Sequence, residues 1–165
     1  MPIYMKIAEI PGEVAAEGHK NEIAIGSFQF GVGIGVEAPT AGSGTGKRST
    51  SAASFSEAVV SKTLDNSSGK FMETLASGTS LPKVEIFFVL ATGKDKTGDD
   101  TYMTITLEDV FVSGYSLSSG GDMPTESVSL NYAKVKKNYM KSDSAGNLTQ
   151  GTIAGWDIAG NKAYA

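Results

Sequence analysis

At 165 residues and 17.1 kDa the chain fits one domain, and a chain this long buries roughly two-thirds of the surface its unfolded form exposes. It has no cysteine, which excludes disulfides, thiolate metal sites and cysteine nucleophiles. Fourteen basic against 18 acidic residues give a net charge of −4 and a pI near 5.0, which argues against nucleic acid, because phosphate contacts need a concentrated basic face.

Twenty glycines and frequent Ser/Thr clusters separate short β-branched and aromatic runs, the pattern of an all-β sandwich or barrel. Ile3, Met5 and Ile7 alternate with Tyr4, Lys6 and Ala8, predicting a first strand that stops at Pro11-Gly12. From Asn21 to Val36 the apolar residues sit first on odd positions (Ile23, Ile25) and then on even ones (Phe28, Phe30, Val32, Ile34, Val36). A period of two cannot change parity without an extra residue, so a bulge or break is expected at Gly26-Ser27. Gly31, Gly33 and Gly35 leave the opposite face bare, as where a backbone or another subunit approaches closely. Glu37 to Ala53 is small, polar and glycine-rich, and loops of that length are functional or disordered. Two readings stand for it: a surface hairpin, or an extended arm that becomes ordered against another subunit.

Phe55 to Thr63 reads as a strand. Asp65 to Ser68 then offers N-caps, Phe71, Met72 and Leu75 recur at helical spacing, and Gly78 closes the segment, predicting one helix beside a β core. Lys83 to Thr92 is apolar on both faces and reads as a central strand, and Gly93 to Asp100 as a charged turn. Thr101 to Asp109, Val110 to Ser118 and Glu126 to Val135 read as three further strands. The last segment, Tyr139 to Ala165, reads as a hairpin around Ser144 to Asn147, with Trp156 docking the tail onto the core. The longest apolar run, Val84 to Ala91 with Glu85 inside it, is far shorter than the roughly 20 residues of a membrane helix. Met1 to Lys6 shows no basic region followed by an apolar one, so any export is expected through a machine that reads no such signal.

No catalytic constellation converges, and no cofactor or metal site is expected. The one histidine, His19, reads as a turn residue bonding nearby backbone; no Gly-x-Ser-x-Gly elbow exists to serve it. Gly42 to Lys47 suggests a phosphate loop, but the pattern needs glycine where Ala41 stands and Ser/Thr where Arg48 stands. Gly31 to Gly35 lacks the third glycine of a dinucleotide loop, Val36 standing there. Asp99-Asp100 reads as a solvated pair, and Glu108-Asp109 as neighbours on opposite strand faces. Lys134, Lys136 and Lys137 read as a solvated or edge-protecting cluster.

The order of these features resembles the Hcp family of type VI secretion. The likeness lies in Gly18-His19 leading into Glu22 to Gly31, in Lys62 to Ser68 followed by Leu75 and Gly78, in Tyr102 to Val112, in Glu126 to Val135, and in the tail Gly155-Trp156-Asp157. Phe30 stands where an aromatic, often Trp, is usual, and Gly69 replaces a common proline. The resemblance implies a mainly β fold: a β-barrel or sandwich of two sheets with one flanking α-helix and a long extended loop. It implies homohexameric rings that stack into a tube, with a contractile sheath, a VgrG-type spike and effector proteins as partners. The tube is assembled in the cytoplasm and then expelled, carrying effectors in its lumen. The family's long loop falls on Glu37 to Ala53, so Pro39, Thr40, Gly42, Gly44, Gly46, Lys47, Arg48 and Ser49 are expected to reach the adjacent ring, with Trp156 and Asp157 serving subunit packing or tail anchoring. Six copies at −4 sum to about −24, which discourages random aggregation of rings. A phage tail-tube-like protein shares this architecture. A small-molecule or sugar-binding β-barrel would instead gather aromatics around a cavity, and here they are scattered along the sequence.

Overall fold

A computed structural model of the chain describes residues 1–38, 48–90 and 100–165. The expected charged turn at 93–100 lies outside them except for Asp100, as does most of the glycine-rich loop. Eleven strands and one helix are described: β1 (Ile3–Lys6), β2 (Ile23–Ile25), β3 (Ser27–Gln29), β4 (Val32–Gly33), β5 (Ser54–Phe55), β6 (Ala58–Thr63), α1 (Ser68–Ser77), β7 (Ser80–Val89), β8 (Thr101–Ser118), β9 (Thr125–Ser142), β10 (Leu148–Asp157) and β11 (Lys162–Ala163).

Nine strands form one antiparallel sheet in the order β11-β10-β9-β8-β7-β1-β2, with β6 on β9 and β3 on β6; β4 and β5 form a separate two-stranded sheet. Gly26 interrupts the run between β2 and β3, where the apolar parity changes, and its N–H donates to the Ser61 carbonyl at 2.7 Å. β2 lies on β1 and β3 on β6, so the chain passes from one end of the sheet to the other at this glycine. The sheet curls there without closing into a barrel, so the fold is mainly β with two sheets and a flanking helix, in its open form.

Several strand boundaries differ from the sequence reading. Phe55 to Thr63 is not one strand: Phe55 belongs to β5 in the small sheet, and β6 begins at Ala58 in the large one. Thr101 to Ser118 is one strand, and Thr125 to Ser142 another, forming a long hairpin. The alternation that suggested separate strands is real but has another cause. Inward residues switch from Leu81 to Val84 in β7, from Leu107 to Val110 in β8, and from Tyr132 to Val135 in β9. These switches lie side by side: Leu81 faces Val110, and Val110 faces Tyr132, while Lys83 faces Glu108 and Glu108 faces Lys134. Asp109 sits at the switch with φ 50°, in the left-handed region. Pro82 lies in the same row, where a missing N–H costs least because β1 pairs only with Glu85 to Phe88 of β7. The sheet therefore bends along one row, and its core face changes parity across all three strands.

The helix ends at Gly78, with φ 63° and its N–H on the Leu75 carbonyl, as the C-terminal glycine predicts. Phe71 is fully buried in the core, whereas Met72 stands outward, so the helix packs through a narrower stripe than the sequence reading gave it. Ser67 occupies the N-cap position without a side-chain cap bond, its hydroxyl going to Asp65 instead. The helix is fastened by buried charge. Lys62, 2% exposed, places its ammonium 2.7 Å from the Glu126 carboxylate, 2.7 Å from Asp65 and 3.1 Å from the Ser68 hydroxyl. Ser68, in the first turn of α1, donates to Glu126 at 2.7 Å, and Tyr115 donates to the other Glu126 oxygen.

Burial alone would raise the Glu126 carboxyl, but the hydrogen bonds from Lys62, Tyr115 and Ser68 outweigh it and hold the group below its ordinary value. Burial, then the bond to Glu126, pushes the Tyr115 hydroxyl up to about 12. A group whose folded pKa is depressed stabilises the fold above the unfolded value and loses that contribution as pH falls through the folded one. Melting temperature should therefore fall with acidification, and the Glu126→Gln variant should show a flatter acid limb. An unchanged acid limb would assign the effect to another carboxylate. Lys62→Met leaves the carboxylate buried without its cation and is expected to cost about 3–5 kcal/mol in denaturant unfolding.

Candidate assembly surface

Beyond Gln29 the chain leaves the main sheet as a two-stranded stem. Val32 and Gly33 pair with Phe55 and Ser54, the Ser51 N–H donates to the Gly35 carbonyl at 2.9 Å, Val36 bridges Thr50, and the Glu37 N–H reaches the Ser49 carbonyl at 3.1 Å. The glycine face of this stem is served by hydroxyls: Ser56 accepts the Gly31 N–H at 2.7 Å and Ser51 the Gly35 N–H at 2.8 Å. The other face carries the even-numbered stripe. Phe28 and Phe30 pack against the core, but Val32, Ile34 and Val36 are 60%, 52% and 48% exposed. Among the described residues this stripe lies open on a projecting ribbon, an apolar patch of the kind that marks interaction sites.

Of the residues assigned to the long loop, Pro39, Thr40, Gly42, Gly44, Gly46 and Lys47 lie outside the described residues. Arg48 and Ser49 close the stem: the Arg48 Nε donates to the Glu37 carbonyl at 3.1 Å, and both side chains are exposed. Trp156 lies far from them in sequence, opposite Val135 in the β9–β10 ladder, half-buried against the core. Asp157 pairs with Lys162 in the ladder, and its carboxylate accepts the Gly160 N–H at 2.9 Å, turning the chain into β11.

Sequence reasoning missed how the aromatics gather. Rings of Tyr102, Phe88, Phe28 and Phe30 follow one another at centroid distances of 6.3, 6.0 and 5.8 Å. Two open grooves continue from them. One of about 210 Å³ is lined by Phe30, Phe55, Val135, Lys137, Ala154, Gly155 and Trp156. The other, about 360 Å³, is lined by Phe28, Gln29, Phe30, Phe88, Met103, Ile105 and Lys137. Residues scattered along the sequence thus meet on one face, and Phe30 and Lys137 are common to both grooves.

Two further expectations are refined. His19 lies in a turn, its N–H on the Ala16 carbonyl, but its side chain meets no backbone: it is buried, its Nδ1 is 2.7 Å from the Glu22 carboxylate, and its ring stacks on Tyr4 at 4.6 Å. Lys134 and Lys136 protect no edge, because β9 is an interior strand; their ammonium groups lie 4.8 and 5.9 Å from the Tyr164 ring centre, and the Tyr164 hydroxyl donates to Glu108 at 2.6 Å. Hydrogen bonding to Glu108 raises the Tyr164 pKa above its ordinary value. Among the described residues no three His, Asp or Glu side chains gather to hold a metal ion, and no helix is long and apolar enough to cross a membrane.

Residues 4–139 match the family described as type VI secretion system effector, Hcp. The chain belongs to the Hcp family. The protein hcp1 of Pseudomonas aeruginosa is 33% identical over 103 residues, 61% of this chain, and the chain spans 62% of that relative's length. Among solved structures, a type six secretion system protein superposes with a TM-score of 0.86 at 26% identity over 99% of both chains. Hcp1 of Salmonella typhimurium superposes with a TM-score of 0.77, also at 26% identity, over 99% of this chain and 98% of its own. The Hcp family is one of secretion proteins, not a family of enzymes.

Trp156 reports on the groove. Because its ring is only half-buried, Trp156→Ala is expected to cost about 1–3 kcal/mol in denaturant unfolding, below the roughly 3–5 kcal/mol of a fully buried aromatic. A negligible cost would show that the ring does not hold the tail to the core.

Proposed function

We propose that this chain is the structural subunit of a type VI secretion tube, forming homohexameric rings that stack head to tail. The observation that carries the reading is the stem of Gly31 to Glu37 and Arg48 to Ser56, which presents three exposed apolar side chains that none of the described residues covers. Family membership supports it. So does the edge of β10: among the described residues β11 pairs with Trp156 and Asp157, and none pairs with the outer edge of Leu148 to Ala154. Rings close such edges, because a head-to-tail contact repeated around a rotation ends on itself.

On this reading the chain assembles in the cytoplasm and leaves with the tube, which a contractile sheath drives outward behind a VgrG-type spike. Effector proteins occupy the lumen. The protein performs no reaction; its work is geometric. The loop at 39–47 with its stem makes the contact between rings, and Pro39, Thr40, Gly42, Gly44, Gly46, Lys47, Arg48 and Ser49 belong to that contact. Fixing a backbone residue costs roughly 1–2 kcal/mol, so a glycine-rich loop is held only where stacking offsets that cost. Weak stacking suits a tube that is built and dissolved on demand.

Deleting Thr40 to Ser51 is expected to leave rings intact and to abolish their stacking. Light scattering of the chromatographed variant reads the ring, near six times 17.1 kDa, and sedimentation reads the tube. Loss of the ring itself would place the loop at the wrong interface.

A further inference from the structure

The segment that follows β10 folds back over the end of that strand's outer edge, and it is held more firmly than its length explains. β11 is only two residues long, with Ala163 opposite Trp156 and Lys162 opposite Asp157, and both its side chains are exposed. A ladder that short is marginal by itself. Tyr164 supplies the hold. Its N–H donates to the Gly155 carbonyl at 2.9 Å, its hydroxyl donates to Glu108 at 2.6 Å, and the ammonium groups of Lys134 and Lys136 lie 4.8 and 5.9 Å from its ring centre. Position 155 is shaped to receive it: a Cβ there would stand 1.8 Å from the Tyr164 carbonyl oxygen, so only glycine admits the segment. The reversal is built as well. The Asp157 carboxylate accepts the Gly160 N–H at 2.9 Å, and Asn161 takes φ 46°.

Seated there, the segment limits any strand that adds to β10. Among the described residues the outer edge of β10 has no partner from Leu148 to Ala154, whereas from Gly155 to Asp157 it is taken by Lys162, Ala163 and Tyr164. Alternation along a strand forbids a slip of one residue, which would turn every side chain to the wrong face. A slip of two residues, roughly 7 Å, keeps each face and goes unopposed. The bulge between Gln150 and Ile153 bends the edge without blocking it. Yet a head-to-tail ring closes only when every contact repeats the same rotation, so one slipped contact opens it. We propose that Asn161 to Tyr164 form a register stop, which ends the neighbouring copy's strand at Ala154, with Tyr164 as the positioning residue that keeps the stop seated. This rests on the assembly reading and adds what sets the register of its contact.

Chromatography with light scattering, joined to sedimentation velocity on the full chain, tests the stop. The unaltered chain is expected to give one closed species near six times 17.1 kDa. Tyr164→Ala is expected to lower that species several-fold and to replace it with a broad range of masses on either side. Tyr164→Phe keeps the ring beside the lysines and loses the bond to Glu108, and is expected to stay closer to the unaltered chain. Gly155→Val displaces the same segment from the other side of the contact and is expected to give the same spread, so the result does not hinge on the folding of one variant. A single six-subunit species from both Tyr164→Ala and Gly155→Val would overturn the stop. So would folded single subunits alone, which would make the segment part of the contact rather than its limit. No ring from the unaltered chain would instead remove the assembly reading, and the stop with it.

Discussion

The fold depends on one constraint: three neighbouring strands must change the parity of their inward side chains at the same level. A single strand that did so would turn core residues into water or polar residues into the core. In this chain the change occurs together at Pro82, Asp109 and Ala133, so the sheet bends as a unit and stays apolar on one side. Above the bend, Val110, Val112, Val128 and Leu130 face the core beside α1 and β6; below it, Ile105, Leu107 and Val135 do so beside β7 and β10. The outward residues at the bend both engage Tyr164, Glu108 accepting its hydroxyl and Lys134 lying against its ring, so the tail fastens where the sheet turns.

The upper half carries its own polar anchor. A lysine and two carboxylates removed from water would be costly if any were left unpaired, and here Lys62, Asp65, Glu126, Ser68 and Tyr115 supply one another. The network spans β6, the first turn of α1, β8 and β9, and so fixes where the helix sits. Apolar packing through Phe71 then sets how closely it lies. The lower half instead exposes an aromatic face and the projecting stem among the described residues.

Local chemistry was legible in the sequence. The parity break at Gly26, the glycine ending α1 at Gly78, and the turn at Ser144 to Asn147 each follow from a rule acting within a few residues. The length of β8 was not legible, because an alternation that stops at Asp109 looks the same whether a strand ends or a sheet bends; only the neighbouring strands decide. The burial of the His19 ring was not legible, because Tyr4 and Phe87, which it meets, lie far from it in sequence. The aromatic groove was invisible for the same reason: Phe30, Phe55, Val135 and Trp156 come together from segments distant in sequence. Of the surface assigned to assembly, the even-numbered stripe was readable as a pattern, while its exposure was a matter of tertiary structure.

On the proposed function, a protein built this way acts by shape. Its buried charges Lys62 and Glu126 hold a helix in place, and its exposed apolar stripe lies on the projecting stem. Electron micrographs of the purified, unmodified chain at micromolar concentration test that account most directly. Annular particles of six subunits around an open lumen are the predicted result, whereas dispersed single subunits, with the aromatic groove filled by a small molecule, would contradict it.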